Sequence, residues 1–293
     1  MISVIIPTYK NVAQLVQNLK TNIPFLRGYE IIVVNDFPHE SIQEALSPFS
    51  EIILIENKMN LGFAGAVHTG IAASQHKYIF LLNSDVVLQD NSYLKAVKQL
   101  AEDKNIFAVS FCQKEKDGGY VGKNSIYWDR GFFQHKKADE FLNGINGWAE
   151  GGACVIDKKK YYEIGGFDTL YSPFYWEDID LSYRAWKTGY SIYFNRNIVV
   201  EHHHESTIGK YFDRDRIYKT VYRNQFIFIW KNISDCKLLI GHVLWTIRML
   251  PIMLFKDRAF IIGLWNALLK LPSIINKRKQ YKINDAAILD KFK

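Results

Sequence analysis

Along the first 110 residues, short apolar runs alternate with segments whose apolar positions recur every three to four residues. Residues 2–6, stopped by Pro7, predict a buried strand. Val12, Leu15, Val16 and Leu19 then follow at helical spacing behind Asn11, a residue suited to a helix N-cap. Residues 30–34, 52–55, 77–82 and 106–111 predict four more strands. Between them, Ser41 with Glu44 three positions on has the form of a capping box. The Gly/Ala-rich stretch 64–74 and residues 92–102 predict two further helices. Repeated strand–helix–strand units of this length predict an α/β fold, with a mainly parallel central sheet flanked by helices. Ligands of such sheets bind beyond the carboxyl ends of the strands, so the residues just after each strand are the ones to inspect.

From residue 112 to 147 the period is lost, and the expectation is a long loop, which in a compact domain is usually functional. Order resumes with a strand over 151–156, a helix capped by Asp157 and a turn at Gly165 and Gly166. A helix from about Glu177 and two strands, 191–194 and 198–200, follow. Beyond about Lys210 the pattern is helical to the end.

Composition adds constraints. With 48% hydrophobic and 23% charged residues the chain is an ordinary folding sequence. Cys112, Cys154 and Cys236 are far apart, which argues against a disulfide framework or a zinc site and suits a reducing compartment. The first residues read as a strand, not as a signal peptide. The net charge of +7 is concentrated at one end. Residues 236–293 hold 11 Lys+Arg against 3 Asp+Glu, a net of +8, leaving −1 for the rest. Because that tail is also rich in Leu, Ile, Trp and Phe, it points to an anionic membrane surface and not to nucleic acid.

Four groups of residues could carry chemistry. Asn83-Ser84-Asp85 ends an apolar strand, where a carboxylate could hold Mg²⁺ or Mn²⁺ against two phosphates; a plain Asx turn is the alternative. Trp176-Glu177-Asp178-Ile179-Asp180 opens a helix. There Asp180 can pair with Arg184, and Glu177 or Asp178 can face a pocket and deprotonate a hydroxyl. His202, His203 and His204 follow a strand, and alternation puts His202 and His204 on one side of it, as metal or phosphate contacts. Asn60-Leu61-Gly62-Phe63-Ala64-Gly65 opens a helix with two glycines, which allow a close approach to phosphate or sugar or else tight helix–sheet packing.

The strings SVIIPTYKN, IIVVND, NLGFAGAVHTGI, FLLNSDV, EGGACVI, EIGGFD, YWEDIDLSYRAWKTGY and VVEHHHEST, in that order over residues 1–207, resemble the family 2 glycosyltransferases with the GT-A fold, bacterial rhamnosyltransferase-like branch. The resemblance implies that Pro7, Thr8 and Tyr9 line a nucleotide pocket with Asp36 near the base. Asn60, Gly62 and Gly65 would run along the diphosphate and ribose, with Asn83, Ser84 and Asp85 completing the donor site. Asp85 would be the last residue of the family's DxD motif, with Asn83 where the first Asp often stands, and a histidine (His202, with His204 on the same side) would share a divalent Mn²⁺ or Mg²⁺. Asp178 would be the general base of an inverting transfer, and Trp176 and Glu177 would meet the acceptor. Residues 1–209 would form the catalytic region, its nucleotide-sugar half about 1–111 and its acceptor half about 112–209, followed by a helical, membrane-associating region 210–293.

The expected partners are a dTDP- or UDP-linked sugar, L-rhamnose foremost, a glycan or lipid-linked acceptor, an anionic membrane surface and a second copy of the chain. Lys237, His242, Arg248 and Pro251 interrupt the apolar stretch 236–255, and Asn266, Lys270 and Pro272 interrupt 260–275. These stretches are therefore expected to lie in the interface plane, at the cytoplasmic side of the cell membrane, and not to span it. A non-catalytic binding subunit of the same fold and a sugar nucleotidyltransferase are the alternatives, the latter disfavoured because PTYKN is not a glycine-rich basic loop.

Overall fold

The computed structural model describes residues 1–202 and 207–293. Its first half contains β1 (Ile2–Thr8), α1 (Val12–Leu26), β2 (Glu30–Asn35), α2 (Gln43–Leu46), β3 (Ile52–Glu56), α3 (Gly62–Ala73), β4 (Tyr78–Leu82), β5 (Val86–Leu88), α4 (Leu94–Glu102) and β6 (Ile106–Lys114). Strands β3, β2, β1 and β4 lie side by side and parallel, with Thr8 beside Asn35 and Ile5 beside Leu81. Ile2, Val4 and Ile6 of β1 enter the core shared with α1 and α4, whereas Ile5 enters the core shared with α3. This is the period-two division of a strand buried on both faces.

The second half adds β7 (Tyr120–Val121), β8 (Asn124–Asp129), β9 (Phe132–Lys137), β10 (Gly144–Ile145), β11 (Ala153–Asp157), α5 (Lys158–Glu163), α6 (Glu177–Thr188) and β12 (Ser191–His202). The large sheet runs β10-β12-β6-β11-β4-β1-β2-β3. Strand β11 is antiparallel to both its neighbours, and β12 is parallel to β6. The expected loop over 112–147 is instead largely strand. Its β8–β9 hairpin turns through Arg130 (φ 44°) and Gly131 (φ 78°), the two positive φ values that a tight two-residue hairpin demands. The two strands expected over 191–200 are one, interrupted where the register with β6 slips between Asn195 and Val199. Two expected caps also differ. Asn11 adopts a left-handed conformation and gives its side chain to Gln14, and Ser41 and Ile42 bond Glu56 instead of closing a capping box. Asp157 does cap α5, through Lys160 N.

Among the described residues, six α-helices follow: α7 (Thr207–Tyr211), α8 (Arg214–Asn232), α9 (Cys236–Lys256), α10 (Arg258–Leu268), α11 (Leu271–Lys277) and α12 (Asp285–Leu289). Phe226, Ile227, Phe228 and Ile229 of α8 belong to the same buried cluster as Ala64, Ala66 and Val67 of α3, so the helical region shares a core with the sheet. Helix α9 is 21 residues long and holds an 18-residue window of mean hydropathy 1.8, so by length and composition it is apolar enough to cross a membrane, which its interrupting polar residues did not suggest. One of its faces is docked, since His242 bonds Gly131 O at 2.8 Å and accepts from Trp230 Nε1 at 3.0 Å.

Candidate active site

A cavity of about 650 Å³ opens at the carboxyl ends of β1, β2 and β4, where strand topology predicts a ligand. Pro7, Thr8 and Tyr9 line it from the end of β1, Asp36 from the end of β2, and Asn83, Ser84 and Asp85 from the turn after β4. Asn60 and Gly62 line it from the start of α3, and Trp176, Glu177 and Asp178 from the start of α6. His202 reaches it from the end of β12. Gly65 does not: it sits one turn inside α3, where an added Cβ would lie 2.3 Å from the Leu61 side chain, so its smallness serves packing. His204 lies outside the described residues.

Each wall is held from behind by short polar side chains. Helix α1 carries Asn18 and Asn22, which bond Ser84 O (2.8 Å) and Val86 O (2.9 Å) and so fix the Asn83–Asp85 turn. Asp36 accepts from Asn57 Nδ2 (2.8 Å) and Leu61 N (3.0 Å). Burial raises its carboxyl, and these donors partly offset the rise. Asn60 accepts from Gly62 N at 2.9 Å, and Gly62 (φ 72°) has no room for a side chain, because a Cβ would stand 2.8 Å from Pro173 O.

The loop before α6 is strained. Tyr175 (φ 68°) and Trp176 (φ 76°) are consecutive left-handed residues, a conformation that persists only when its surroundings impose it. Helix α8 supplies the restraint: Asn224 Nδ2 donates to Tyr171 O, Phe174 O and Tyr175 O at 2.8–3.0 Å, and Arg223 donates to Ser172 O at 2.6 Å. Asp180 plays no part in the cavity. It is fully buried and takes hydrogen bonds from Tyr171, Arg184, Lys231 and Asn232, the last at 2.7 Å. Although burial opposes ionisation, Arg184 and Lys231 hold its carboxyl far below the usual range. Lys231 also pairs with Asp168, which pairs with Lys277, so the helix carrying Asp178 is riveted to α8 and α11.

Asp178 and Glu177, which face the cavity, shift upward, the reverse of Asp180. Burial, then the charge of Glu150, raises Asp178 to about 7, although Ile179 N donates to it at 2.8 Å. Burial and the charge of Asp178 push Glu177 well up. Six buried side-chain polar atoms among the described residues have no hydrogen-bond partner, and four of them (Thr8 Oγ1, Asn83 Oδ1, Asp85 Oδ1 and Glu177 Oε2) belong to residues on this cavity. Buried polar atoms are rarely left unpaired unless a ligand completes them.

Asp85 Oδ1 lies 3.3 Å from His202 Nε2. Among the described residues no three His, Cys, Asp or Glu side chains converge as a metal cage. One carboxylate, one imidazole and the Asn83 amide oxygen fit a divalent ion that draws its remaining ligands from water and phosphate. The sequence reading missed Gln113, His135, Trp148 and Glu150, all on the cavity. Three of them fall within or at the margin of the stretch that lacks periodicity. The available signal was the expectation that such a stretch is functional. His135 packs edge-on against Trp148 and Trp176, at 5.1 and 5.4 Å between ring centres, and forms the wall beside Asp178.

The sequence model of Glycosyl transferase family 2 matches residues 3–165. The chain belongs to that family. It is 31% identical over 124 residues to a glycosyltransferase of Rickettsia bellii (strain RML369-C), covering 41% of this chain and 18% of that one. It is 23% identical over 249 residues to the chondroitin synthase of Escherichia coli, covering 73% of this chain and 36% of that one. The chain therefore spans well under half the length of these relatives. Among solved structures, GalNAc-T7 with UDP, GalNAc and Mn²⁺ superposes with a TM-score of 0.62 at 14% identity, covering 93% of this chain and 57% of that one. At that identity the likeness is one of fold, and the fold is the mixed α/β architecture expected, with its mostly parallel sheet and flanking helices.

Proposed function

We propose that this family 2 chain transfers a sugar from a nucleotide diphosphate to an acceptor hydroxyl with inversion at C1. The observation that carries the reading is one cavity holding unpaired oxygens at the strand ends and, across it, a carboxylate whose pKa stands near neutrality. A general base works best with a pKa close to the working pH, and Asp178, raised to about 7, meets that condition. In the transfer, Asp178 takes the proton of the acceptor hydroxyl as its oxygen bonds to C1. The C1–O bond to the diphosphate breaks, and the electron pair leaves on that phosphate oxygen. Glu177, whose carboxyl burial and the charge of Asp178 push upward, stands on the same cavity to meet the acceptor. Trp176, Trp148 and His135 offer the rings on which a sugar face stacks.

Asp85 and His202 would hold a divalent ion, Mn²⁺ or Mg²⁺, with Asn83 beside it; when bound, the ion offsets the charge of the departing diphosphate. The donor proposed first is dTDP-L-rhamnose, with UDP-hexoses next. A melting-temperature screen of both, with Mn²⁺, tests the reading: a donor that binds the folded protein raises the midpoint. A flat response to every nucleotide sugar would overturn it.

The acceptor side of the proposal is a lipid-linked saccharide in surface-polysaccharide synthesis at the cytoplasmic face of a membrane. It is supported by the outer face of α9, where Ile240, Val243, Leu244 and Ile247 are each more than half exposed at helical spacing. Trp265, Leu269 and Ile275 extend the exposed apolar surface onto and beyond α10. Because the opposite face of α9 is bonded to the β8–β9 hairpin, the reading is a helix lying in the interface. Flotation with anionic liposomes tests it. Intact protein should float and the Leu244→Asp, Ile247→Asp double variant should not; wild-type protein that stays at the bottom would refute membrane contact.

A further inference from the structure

We infer that Gln113 and Glu150 are positioning residues that fix which ring nitrogen of His202 faces the cation site. The inference rests on the proposed reading of Asp85 and His202 as ion ligands. Each oxygen of the Glu150 carboxylate receives one amide: Oε2 accepts from Gln113 Nε2 at 2.5 Å, and Oε1 accepts from Asn124 Nδ2 at 2.8 Å. A carboxylate only accepts, so the Gln113 amide must turn its nitrogen to Glu150 and its oxygen the other way. That oxygen lies 2.5 Å from His202 Nδ1. Nδ1 therefore carries hydrogen and donates to it, and in the neutral ring the lone pair is left on Nε2. Nε2 is the nitrogen 3.3 Å from Asp85 Oδ1, an oxygen without a hydrogen bond. A cation held by both Nε2 and Asp85 Oδ1 would need that nitrogen's lone pair, which the Nδ1-protonated tautomer supplies.

The relay has a firm origin. Gln113 is wholly buried in β6, opposite Val200 in β12. Asn124 is fixed at the base of β8, its N–H on Asn146 Oδ1 at 2.6 Å and its carbonyl receiving Gly147 N at 2.8 Å. Residues that orient a ligating histidine through its other nitrogen typically change metal affinity 10–100-fold when removed.

The test uses intact, metal-free protein labelled with ¹⁵N-histidine, with His202→Asn identifying the His202 signals. Long-range ¹H–¹⁵N spectra at pH 8 should show one tautomer, protonated at Nδ1. In Glu150→Gln the Gln113 amide can turn, and both tautomers should be visible. Mn²⁺ alone, titrated by electron paramagnetic resonance, should bind Gln113→Met about tenfold or more weakly than wild type, with melting curves confirming that the variant folds. Wild-type His202 protonated at Nε2, or Mn²⁺ affinity in Gln113→Met within twofold of wild type, would overturn the relay. Wild type that shows the Nδ1 tautomer yet binds no Mn²⁺ would overturn the ion-ligand reading and leave the relay standing.

Discussion

The charge of Glu150 should be readable in the pH dependence of turnover. Asp178 stands at about 7 against an ordinary 3.8, with burial as the larger cause and Glu150 as the second. In the proposed transfer the ionised form is the base, so kcat/KM, which reports the free enzyme, should fall on the acid side with a midpoint near 7. One unit below that midpoint only about a tenth of the enzyme carries the carboxylate. Glu150→Gln removes the neighbouring charge and leaves the burial. The midpoint should therefore drop by up to about one unit, ~1.4 kcal/mol, and stay well above an ordinary carboxyl. At pH 6 a shift of that size raises the ionised fraction about fivefold, so the variant should outperform wild type there relative to its own plateau. The assay is release of nucleoside diphosphate from pH 5 to 9 at saturating Mn²⁺, so that weaker ion binding does not enter the comparison. A wild-type midpoint near 4, or one that Glu150→Gln leaves in place, would refute the assignment of Asp178 or the influence of Glu150.

Four further outcomes follow from the same geometry. Asp178→Asn should lose roughly 10²–10⁴-fold in turnover while keeping the donor-induced rise in melting temperature; wild-type-like turnover would remove Asp178 from the chemistry. The same variant should melt higher than wild type at pH 8 but not at pH 4. A carboxyl raised in the folded state supports folding at low pH, and that support is lost as pH climbs from its unfolded value to about 7, a loss the amide escapes. Lys231→Met strands Asp180 and Asp168 without their shared cation, and should cost about 3–5 kcal/mol in urea unfolding, part of it recovered by adding Asp180→Asn. Asn224→Ala removes the donor shared by Tyr171 O, Phe174 O and Tyr175 O and loosens the Tyr175–Trp176 loop, so acceptor KM should rise while donor-induced stabilisation persists.

The parallel half of the fold was legible because its signals are local: runs of Ile and Val closed by Pro7, Asn35 or Asn83 announce strands, and the strand ends name the cavity residues. Residues 112–147 were not legible. Strands β7–β10 are short, and they mix buried Phe132 and Phe133 with exposed Tyr120, Tyr127, Lys136 and Lys137, so neither period emerges. Gln113 meets Glu150 and His202 across 37 and 89 residues, separations that no spacing rule connects. Asp180 shows the reverse error. The sequence pairs it correctly with Arg184, yet its other partners on α8 are supplied by tertiary packing alone. In α9, scattered polar residues outweighed the mean hydropathy, whereas in the structure His242 is absorbed by the docked face.

The crowding at Gly62 makes the loop before α3, the proposed donor seat, and the loop before α6, the proposed acceptor seat, a single joint. Pro173 O receives Phe63 N at 3.4 Å, and Ser172 Oγ reaches Leu61 O at 3.2 Å, so one edge of the nucleotide half rests on the chain that leads into Asp178. A segment swap meant to alter acceptor choice would have to carry the 172–173 carbonyl contour with it, or it would disturb the donor seat as well. New specificity in this scaffold is therefore easier to obtain on the far wall, around His135 and Trp148, than at the seam.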